Sequence, residues 1–390
     1  MEYFFNEQQK YIKEIAAKIA KEKIAPIAIE CDEKEEMPWE IVKLLGESDL
    51  FSVYIPEAYG GLGGGCLDLC IAVEELSKAC GGISLSLAAT ALGTYPILLS
   101  GNEEQKKKFL PDIARGKRLA AFCITEAGAG SDAGGIKTTA RKDGDYYILN
   151  GVKQWITNGG EAEVYTVIAM TDKTKGARGA SAFIVEKGTP GLSFSQKEKK
   201  MGIRASMTRE VIFEDVKIHK DNLLGKEGRG FIVAMGTFDH SRPGVAAQAL
   251  GIAQGAIDDC VAYGRERHQF DKPIISFQGL QFMLADMATQ VEAARALVYA
   301  TARAVDGGAQ SFAKESAMAK LFASDVAMQV TVDAVQFFGG YGYMREYPVE
   351  KRMRDAKITQ IYEGTNQIQR SVIAAHLIKE GAARKETAKV

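Results

Sequence analysis

The sequence predicts an α+β chain in three parts: a helical domain over residues 1–120, an antiparallel β domain over 121–227, and a four-helix bundle over 228–390. Three observations carry that expectation. Apolar residues recur at helical spacing early on, as with Ile12, Ile15 and Ile19 ahead of Pro26. Short apolar runs bounded by Gly and Asp then replace them. After about Gly228, long segments of helical period return and persist. A chain of 390 residues also exceeds one ordinary core, which suits two or three units.

The first part holds a helix around Glu74–Lys78 and another that stops at Gly116, just after Pro111-Asp112-Ile113-Ala114-Arg115. Strands are expected at 119–125, at 146–149 after the Asp143-Gly144 turn, at 164–170, 182–185, 211–213 and 216–218. Turns so regular favour antiparallel pairing over parallel. Helices follow at 245–266, 278–307, 311–339 and 367–380, separated by Gly, Pro or Asp. The small, charged tail 380–390 is expected to fray.

Composition excludes several classes of function. Lys plus Arg total 49 against 50 for Asp plus Glu, so there is no electrostatic case for nucleic acid or an anionic membrane. A hydrophobic share of 46% with 25% charged residues is that of a globular protein, and no apolar run is expected to span a bilayer. The start, Met1-Glu2-Tyr3-Phe4, lacks the layout of a secretory or transit segment. The six cysteines are scattered without CxxC, and Cys66 and Cys70, four apart on one helix face, are awkward to bridge. Reduced thiols and a cytoplasmic location are expected. The four histidines make no metal-ligand pattern.

Chemistry concentrates in a few segments. Ile361-Tyr362-Glu363-Gly364-Thr365-Asn366-Gln367-Ile368-Gln369-Arg370 sets one carboxylate beside an aromatic ring and a glycine, on the loop opening a late helix. Asn366 with Gln369 reads as a capping box, and Ile368, Val372, Ala375 and Ile378 form a helical stripe. Glu363 is either a carboxylate carried to a substrate or a solvated acid near a positive helix end; the decapeptide alone leaves both open. Phe122 to Asp132 runs from a strand into a glycine-rich turn. Gly128-x-Gly130-x-x-Ala133 matches a loose dinucleotide fingerprint, but strand rather than helix is expected after it, so that reading fails. What survives is a loop whose N–H groups and Ser131 hydroxyl can hold a phosphate or a flat polar ring, or else a plain hairpin turn. Trp155 and Thr157 fall on one face if the backbone is extended, giving an aromatic plane and a hydroxyl suited to a flavin ring, or a core Trp with an incidental Thr. Arg265-Glu266-Arg267-His268-Gln269-Phe270 suits phosphate contacts or a solvated helix end. Gln336 to Gly342 ends a helix at a double glycine, through close packing or contact with a neighbouring subunit's ligand.

In this order the segments resemble the acyl-CoA dehydrogenase family, its medium- and short-chain branch above all. Tyr54-Ile55-Pro56-Glu57-Ala58-Tyr59-Gly60-Gly61, Met201-Gly202-Ile203-Arg204-Ala205-Ser206-Met207-Thr208 and Phe238-Asp239-His240-Ser241-Arg242-Pro243 extend the likeness over nearly the whole chain. The resemblance implies a helical, β and four-helix-bundle fold, FAD between domains and partly against a second subunit, and a homotetramer. It implies flavin-side contacts from Phe122, Ile124, Thr125, Gly130, Ser131, Trp155, Ile156 and Thr157, and pyrophosphate and adenosine contacts from Arg267, Gln269, Phe270, Gln278, Gln336, Gly339 and Gly340. Thr365 and Gln367 would touch cofactor just after the base. Ser131, Asp239 and Arg242 would lie on the substrate side, with Tyr362 and Gly364 flanking the thioester. Some relatives take their base from the helix of Asp239–Arg242; the position here is Ser241, which cannot serve, leaving Glu363.

The implied reaction is dehydrogenation of an acyl-CoA at Cα–Cβ. Glu363 takes the α-proton and hydride passes from Cβ to flavin N5. The backbone N–H of Glu363 and a ribityl hydroxyl hold the enolate oxygen, and an electron-transferring flavoprotein accepts the electrons. Burial under the acyl chain is expected to raise the Glu363 pKa against the helix dipole once substrate has expelled water. Rival readings are an enoyl-CoA reductase or an acyl-CoA oxidase on the same scaffold, or a non-catalytic acyl-CoA or flavin-binding protein. Ser84, Leu85, Ala88 and Ala89 are expected to wall an acyl pocket whose small side chains admit linear, branched or alicyclic groups.

Overall fold

The computed structural model describes residues 3–387. Helices come first: α1 (Glu7–Ile19), α2 (Ala28–Lys34), α3 (Trp39–Glu47), α4 (Cys66–Ala79), α5 (Gly81–Ser100) and α6 (Glu103–Ala114). Asn6 and Gln9 close a capping box at the start of α1, and Ile12, Ala16 and Ile19 bury its inner stripe. A π turn (Ala20–Ile24) and a 3₁₀ turn at Pro26 then lead into α2. α6 stops at Gly116 as expected, with φ of +64°. The six cysteines are free thiols.

One expectation fails in this region. α5 is 20 residues long with a mean hydropathy of 1.5, enough by length and composition to cross a membrane, and 78% of that window is buried inside the protein. Such a helix is apolar on every side because it is surrounded by protein. It lies against β1, and Gly93 makes the approach possible: a Cβ there would sit 2.5 Å from the backbone N of Ala121.

The strands are β1 (Ala120–Cys123), β2 (Thr139–Asp143), β3 (Tyr146–Thr157), β4 (Val164–Met170), β5 (Ala180–Glu186), β6 (Leu192–Phe194), β7 (Thr208–His219) and β8 (Leu223–Leu224). Seven run in the order β6-β7-β3-β2-β4-β5-β8, and β1 pairs with β4. Most pairs are antiparallel, but β1 and β4 run parallel from Ala120–Val164 to Cys123–Val167, so the wholly antiparallel expectation is corrected. The turns between the other strands gave no sign of this, because β1 arrives from α6 rather than through a hairpin. The runs at 211–213 and 216–218 are one strand, β7, with Asp215 in the left-handed region.

From residue 230 the chain is helical again: α7 (Gly230–Glu266), α8 (Gln278–Asp306), α9 (Ala313–Phe338), α10 (Pro348–Thr359) and α11 (Asn366–Thr387). Between α7 and α8 a small hairpin joins β9 (His268–Gln269) to β10 (Lys272–Pro273). α7 starts fifteen residues before the expected 245, because Pro243 sits inside it rather than ending it. α10 was not expected; its charged, low-hydropathy sequence hides a helix that buries Val349, Asp355 and Ala356. α11 continues past the point where fraying was expected as far as Thr387, and residues 388–390 lie outside the described region. Its stripe is only partly covered: Ile368 and Val372 are half-buried, whereas Ile378 is 74% exposed.

Candidate active site

α10 and α11 are joined by a loop whose ends are tied by the Asn366 N–H donating to the Gln360 carbonyl at 3.0 Å. Within it Glu363 takes a φ of +51° and Gly364 one of +89°, so the carboxylate rides on two successive left-handed residues. For a glutamate that backbone is unfavourable, and surrounding bonds hold it. Gln369 Nε2 donates to the carbonyls of Glu363 at 3.1 Å and Gly364 at 2.8 Å. Lys320 Nζ, reaching from α9, donates to the Gly364 carbonyl and to Asn366 Oδ1, both at 2.9 Å.

The expected Asn366–Gln369 capping box is therefore wrong. Thr365 Oγ1 accepts from the Ile368 N–H at 3.3 Å and caps α11. Asn366 instead turns inward, 4% exposed, to Lys320, Ser324 and Asp325, while Gln369 spends its amide on the loop carbonyls. Spacing alone could not separate the two arrangements, since both place a polar pair three residues apart.

The Glu363 carboxyl meets α7. Ser241 Oγ donates to its Oε2 in a very short hydrogen bond. Burial raises the carboxyl to about 7; the Ser241 bond and the charges of Arg242 and Lys320 pull against that rise. Desolvation wins before any substrate has entered. The N–H of Glu363 donates to no group among the described residues. Tyr362 is held by a short hydrogen bond from its hydroxyl to Gln248, whose Nε2 donates to the Gly81 carbonyl at 2.7 Å. Asp239 pairs with Arg242 at 3.0 Å, and burial pushes the Asp239 carboxyl up. Arg242 is 4% exposed and its Nε lacks a partner among the described residues.

Phe122, at the end of β1, sets its ring edge-on against Phe238 of α7, with centroids 5.5 Å apart. That contact brings Phe122, one of the residues expected on the flavin side, to the α7 stretch that carries Asp239, Ser241 and Arg242. The Thr125 carbonyl accepts from the Gln154 N–H at 2.9 Å, bringing the glycine-rich turn to the β3 segment. Beneath the turn a buried pair anchors it: Lys153 Nζ donates to Glu126 Oε1 at 2.8 Å and to the Ile124 carbonyl at 3.0 Å. Glu126 in turn accepts from the N–H groups of Lys137 and Thr138. Ile124 and Ile156 are 5% and 3% exposed, so they offer only backbone to a ligand. Gly130 and Ser131 are exposed, and a Cβ at Gly130 would meet nothing within 4 Å.

The extended backbone expected at Trp155 and Thr157 is also corrected. Trp155 has a φ of +58°, at a register shift between Lys153 and Ile156, and is 56% exposed. Strand alternation therefore does not place Trp155 and Thr157 on one face. Ser84 is fully buried, and Ser77 Oγ donates to its hydroxyl at 2.8 Å. Of the four expected pocket residues on α5 only Ala88 keeps some exposure.

The remaining expected contacts lie elsewhere. Arg267 stands at the far end of α7, its guanidinium 5.1 Å from the ring centroid of Tyr341. Gln269, Phe270, Gln278, Gln336, Gly339 and Gly340 are all exposed around it, Phe270 by 88% at the tip of the β9–β10 hairpin. Helical rise puts Arg267 roughly 40 Å along α7 from Ser241, and Gln336 roughly 24 Å along α9 from Lys320. The structure thus gathers the expected residues into two groups, not one. Ser241, Lys320, Gln248 and Gln369 were missed as members of the first. Only Ser241 carried a signal, as the position that holds the base in some relatives.

Comparison with known proteins covers the same ground. Three family models match in succession: acyl-CoA dehydrogenase N-terminal domain over residues 6–117, middle domain over 121–216 and C-terminal domain over 228–378. A short-chain-specific acyl-CoA dehydrogenase of Clostridium acetobutylicum is 47% identical, covering 97% of this chain and all of that protein. Butyryl-CoA dehydrogenase from Megasphaera elsdenii superposes with a TM-score of 0.94 at 48% identity, over 97% of this chain and 100% of that one. A structure described as the electron-transferring flavoprotein of Acidaminococcus fermentans also reaches 0.94, at 52% identity, over 97% and 99%. An acyl-CoA dehydrogenase complexed with FAD from Bacillus anthracis reaches 0.91 at 36% identity, over 97% and 69%.

Proposed function

The chain belongs to the acyl-CoA dehydrogenase family, and we propose that it dehydrogenates a short-chain acyl-CoA to the 2-enoyl-CoA with Glu363 as the α-proton base. It is an FAD-dependent oxidoreductase. One observation carries the residue-level reading. A carboxyl on a left-handed loop, raised to about 7 by burial, is matched to removing a weakly acidic proton near neutral pH.

The chain's own groups divide the work. Ser241 fixes the carboxyl by its hydrogen bond, so Glu363 presents its other oxygen, Oε1, to a substrate Cα. The unpartnered N–H of Glu363 suits a developing enolate oxygen, where one preorganised donor is worth about 3–4 kcal/mol in the transition state. Tyr362, pinned across to Gln248 and Gly81, would form a fixed wall beside the acyl group. That wall and the short-chain relatives together favour a butyryl-sized substrate over a long one. Arg242 and Asp239 lie on the CoA side.

The flavin residues fit the group they are assigned to. Trp155 stands half out of the β3 bulge as an open aromatic plane, and the 128–131 turn leaves backbone uncovered beside it. When bound there, FAD supplies the acceptor for the hydride leaving Cβ. Thr125, Ser131 and Thr157 would hold the flavin side, with Thr365 and Gln367 closing from the α11 end. The distal group of Arg267, Gln269, Phe270, Gln278, Gln336, Gly339 and Gly340 lies too far along the bundle to touch the same cofactor molecule. It would serve FAD bound to a second copy, as in a homotetramer. Electrons would pass to an electron-transferring flavoprotein, and the free thiols suit a reducing, cytoplasmic compartment.

Anaerobic mixing of the FAD-loaded enzyme with linear, branched, alicyclic and dicarboxylic acyl-CoAs tests this reading. Fastest bleaching of the flavin by butyryl-CoA, with turnover restored by an electron-transferring flavoprotein rather than oxygen, is expected. No bleaching by any thioester at full FAD occupancy would leave a binding protein, and rapid reoxidation by oxygen would make it an oxidase.

A further inference from the structure

Lys320 is fully buried in α9, yet among the described residues no carboxylate is bonded to it. Its ammonium spends two hydrogen bonds on the Gly364 carbonyl and Asn366 Oδ1, the residues that follow Glu363. A buried ammonium without an ion-pair partner is costly, and an apolar side chain would fill a helix interior without that cost. The charge therefore has work beyond packing. We propose that Lys320 is a positioning residue: it clamps the Glu363 loop in its left-handed turn, and its positive charge keeps Glu363 ionised as substrate expels water. This inference rests on Glu363 being the base.

The surroundings are consistent with that role. Three charged groups face Lys320: Glu363 from the loop, Arg242 from α7 and Asp325 on α9 itself. Asp325 is engaged by Asn366 Nδ2 and Gln360 Nε2, both at 2.7 Å, and by Arg370 at 3.2 Å. Glu363 is faced by Ser241 and Arg242 from α7, by Lys320 from α9 and by the neutral hydroxyl of Tyr362 beside it. Burial pushes Lys320 down to about 7, against the pull of Glu363, while Lys320 pulls Glu363 down from where burial would put it. Each group thus acts on the other's proton affinity, so a proton gained by one is felt by the other. Because the charge lowers the carboxyl, removing it must raise the Glu363 pKa and weaken the base at neutral pH.

Three variants read this out in anaerobic single-turnover reduction by butyryl-CoA between pH 6 and 9.5. Lys320→Gln keeps a donor to the Gly364 carbonyl without the charge. It is expected to move the acid limb up by about one pH unit, so that reduction falls roughly fivefold at pH 7 and recovers by pH 9. FAD content and KM are expected to stay near the parent values. Lys320→Arg restores the charge and is expected to bring the limb back; Lys320→Met loses both functions and is expected to slow reduction at every pH. Should Lys320→Met fail to fold, the Gln and Arg pair decides alone. A Lys320→Gln profile superimposable on the parent, or a uniform loss tracking lost FAD, overturns the inference. Glu363→Gln is run beside them: if it still reduces flavin rapidly, the base assignment itself has failed, whereas a dead Glu363→Gln with an unshifted Lys320→Gln sinks only the role of Lys320.

Discussion

The two ends of the helical bundle solve opposite problems. Around Glu363 the chain's own groups hold the key atoms: Ser241 on the carboxyl, Lys320 and Gln369 on the loop carbonyls, Gln248 on Tyr362. Around Arg267 the side chains stand in the open. Phe270 is 88% exposed and Tyr343 81%, and the hairpin that carries Phe270 is only two residue pairs long. One end is closed from within the chain; the other, on our proposal, is where a second copy docks. Reaction chemistry needs a dry, preorganised pocket, while assembly needs an uncovered apolar face, and α7 joins the two.

The largest effect on stability is expected beneath the glycine-rich turn. Glu126→Gln leaves Lys153 buried without its countercharge, which costs about 3–5 kcal/mol. Thermal denaturation is expected to show that loss together with poor FAD retention; unchanged stability would mean Lys153 finds another partner. Next comes the exposed end. Phe270→Ala is expected to weaken FAD retention and assembly by roughly tenfold, a change of about 1.4 kcal/mol, with turnover per bound FAD unaltered. Equal FAD affinity and an unchanged mass by light scattering would make this end mere surface and break the contrast.

Smaller effects sharpen the contrast from the closed end. Ser241 donates to the ionised carboxyl and lowers its pKa, so Ser241→Ala must raise it. Reduction at pH 7 is expected to fall by roughly three- to tenfold and to recover at pH 9, since a base works only when deprotonated. A pH-independent loss would point to misplacement of the carboxyl instead. Smallest is Thr365→Ala, which removes the cap of α11 and is expected to cost about 1 kcal/mol in stability. No change in the unfolding midpoint would return the cap to Asn366.

Much of this contrast was legible from residues alone, because patterns of period and order survive without coordinates. The helical, β, helical succession, the Asp143-Gly144 turn and the Gly116 stop are local signals, and the fold bears them out. What escaped was set by tertiary partners. The parallel β1–β4 pairing joins residues 44 apart, the Trp155 bulge depends on its register with β7, and α10 is helical because Val349 and Ala356 find the core. In the site, Glu363 stood out by its neighbours in sequence. Lys320, by contrast, sits 43 residues earlier in an ordinary-looking helix, and only the fold brings its ammonium to the loop. Ser84 is another such case: its hydroxyl is met by Ser77 of α4, a partner no local pattern announces.

Whether Glu363 is the base is decided by Glu363→Gln, loaded with FAD and mixed anaerobically with butyryl-CoA. The variant is expected to stay yellow and to bind the thioester, while flavin reduction falls by about three orders of magnitude or more, the scale of a lost general base. Reduction within a few-fold of the parent enzyme would contradict the account, because a glutamine at 363 cannot take the proton.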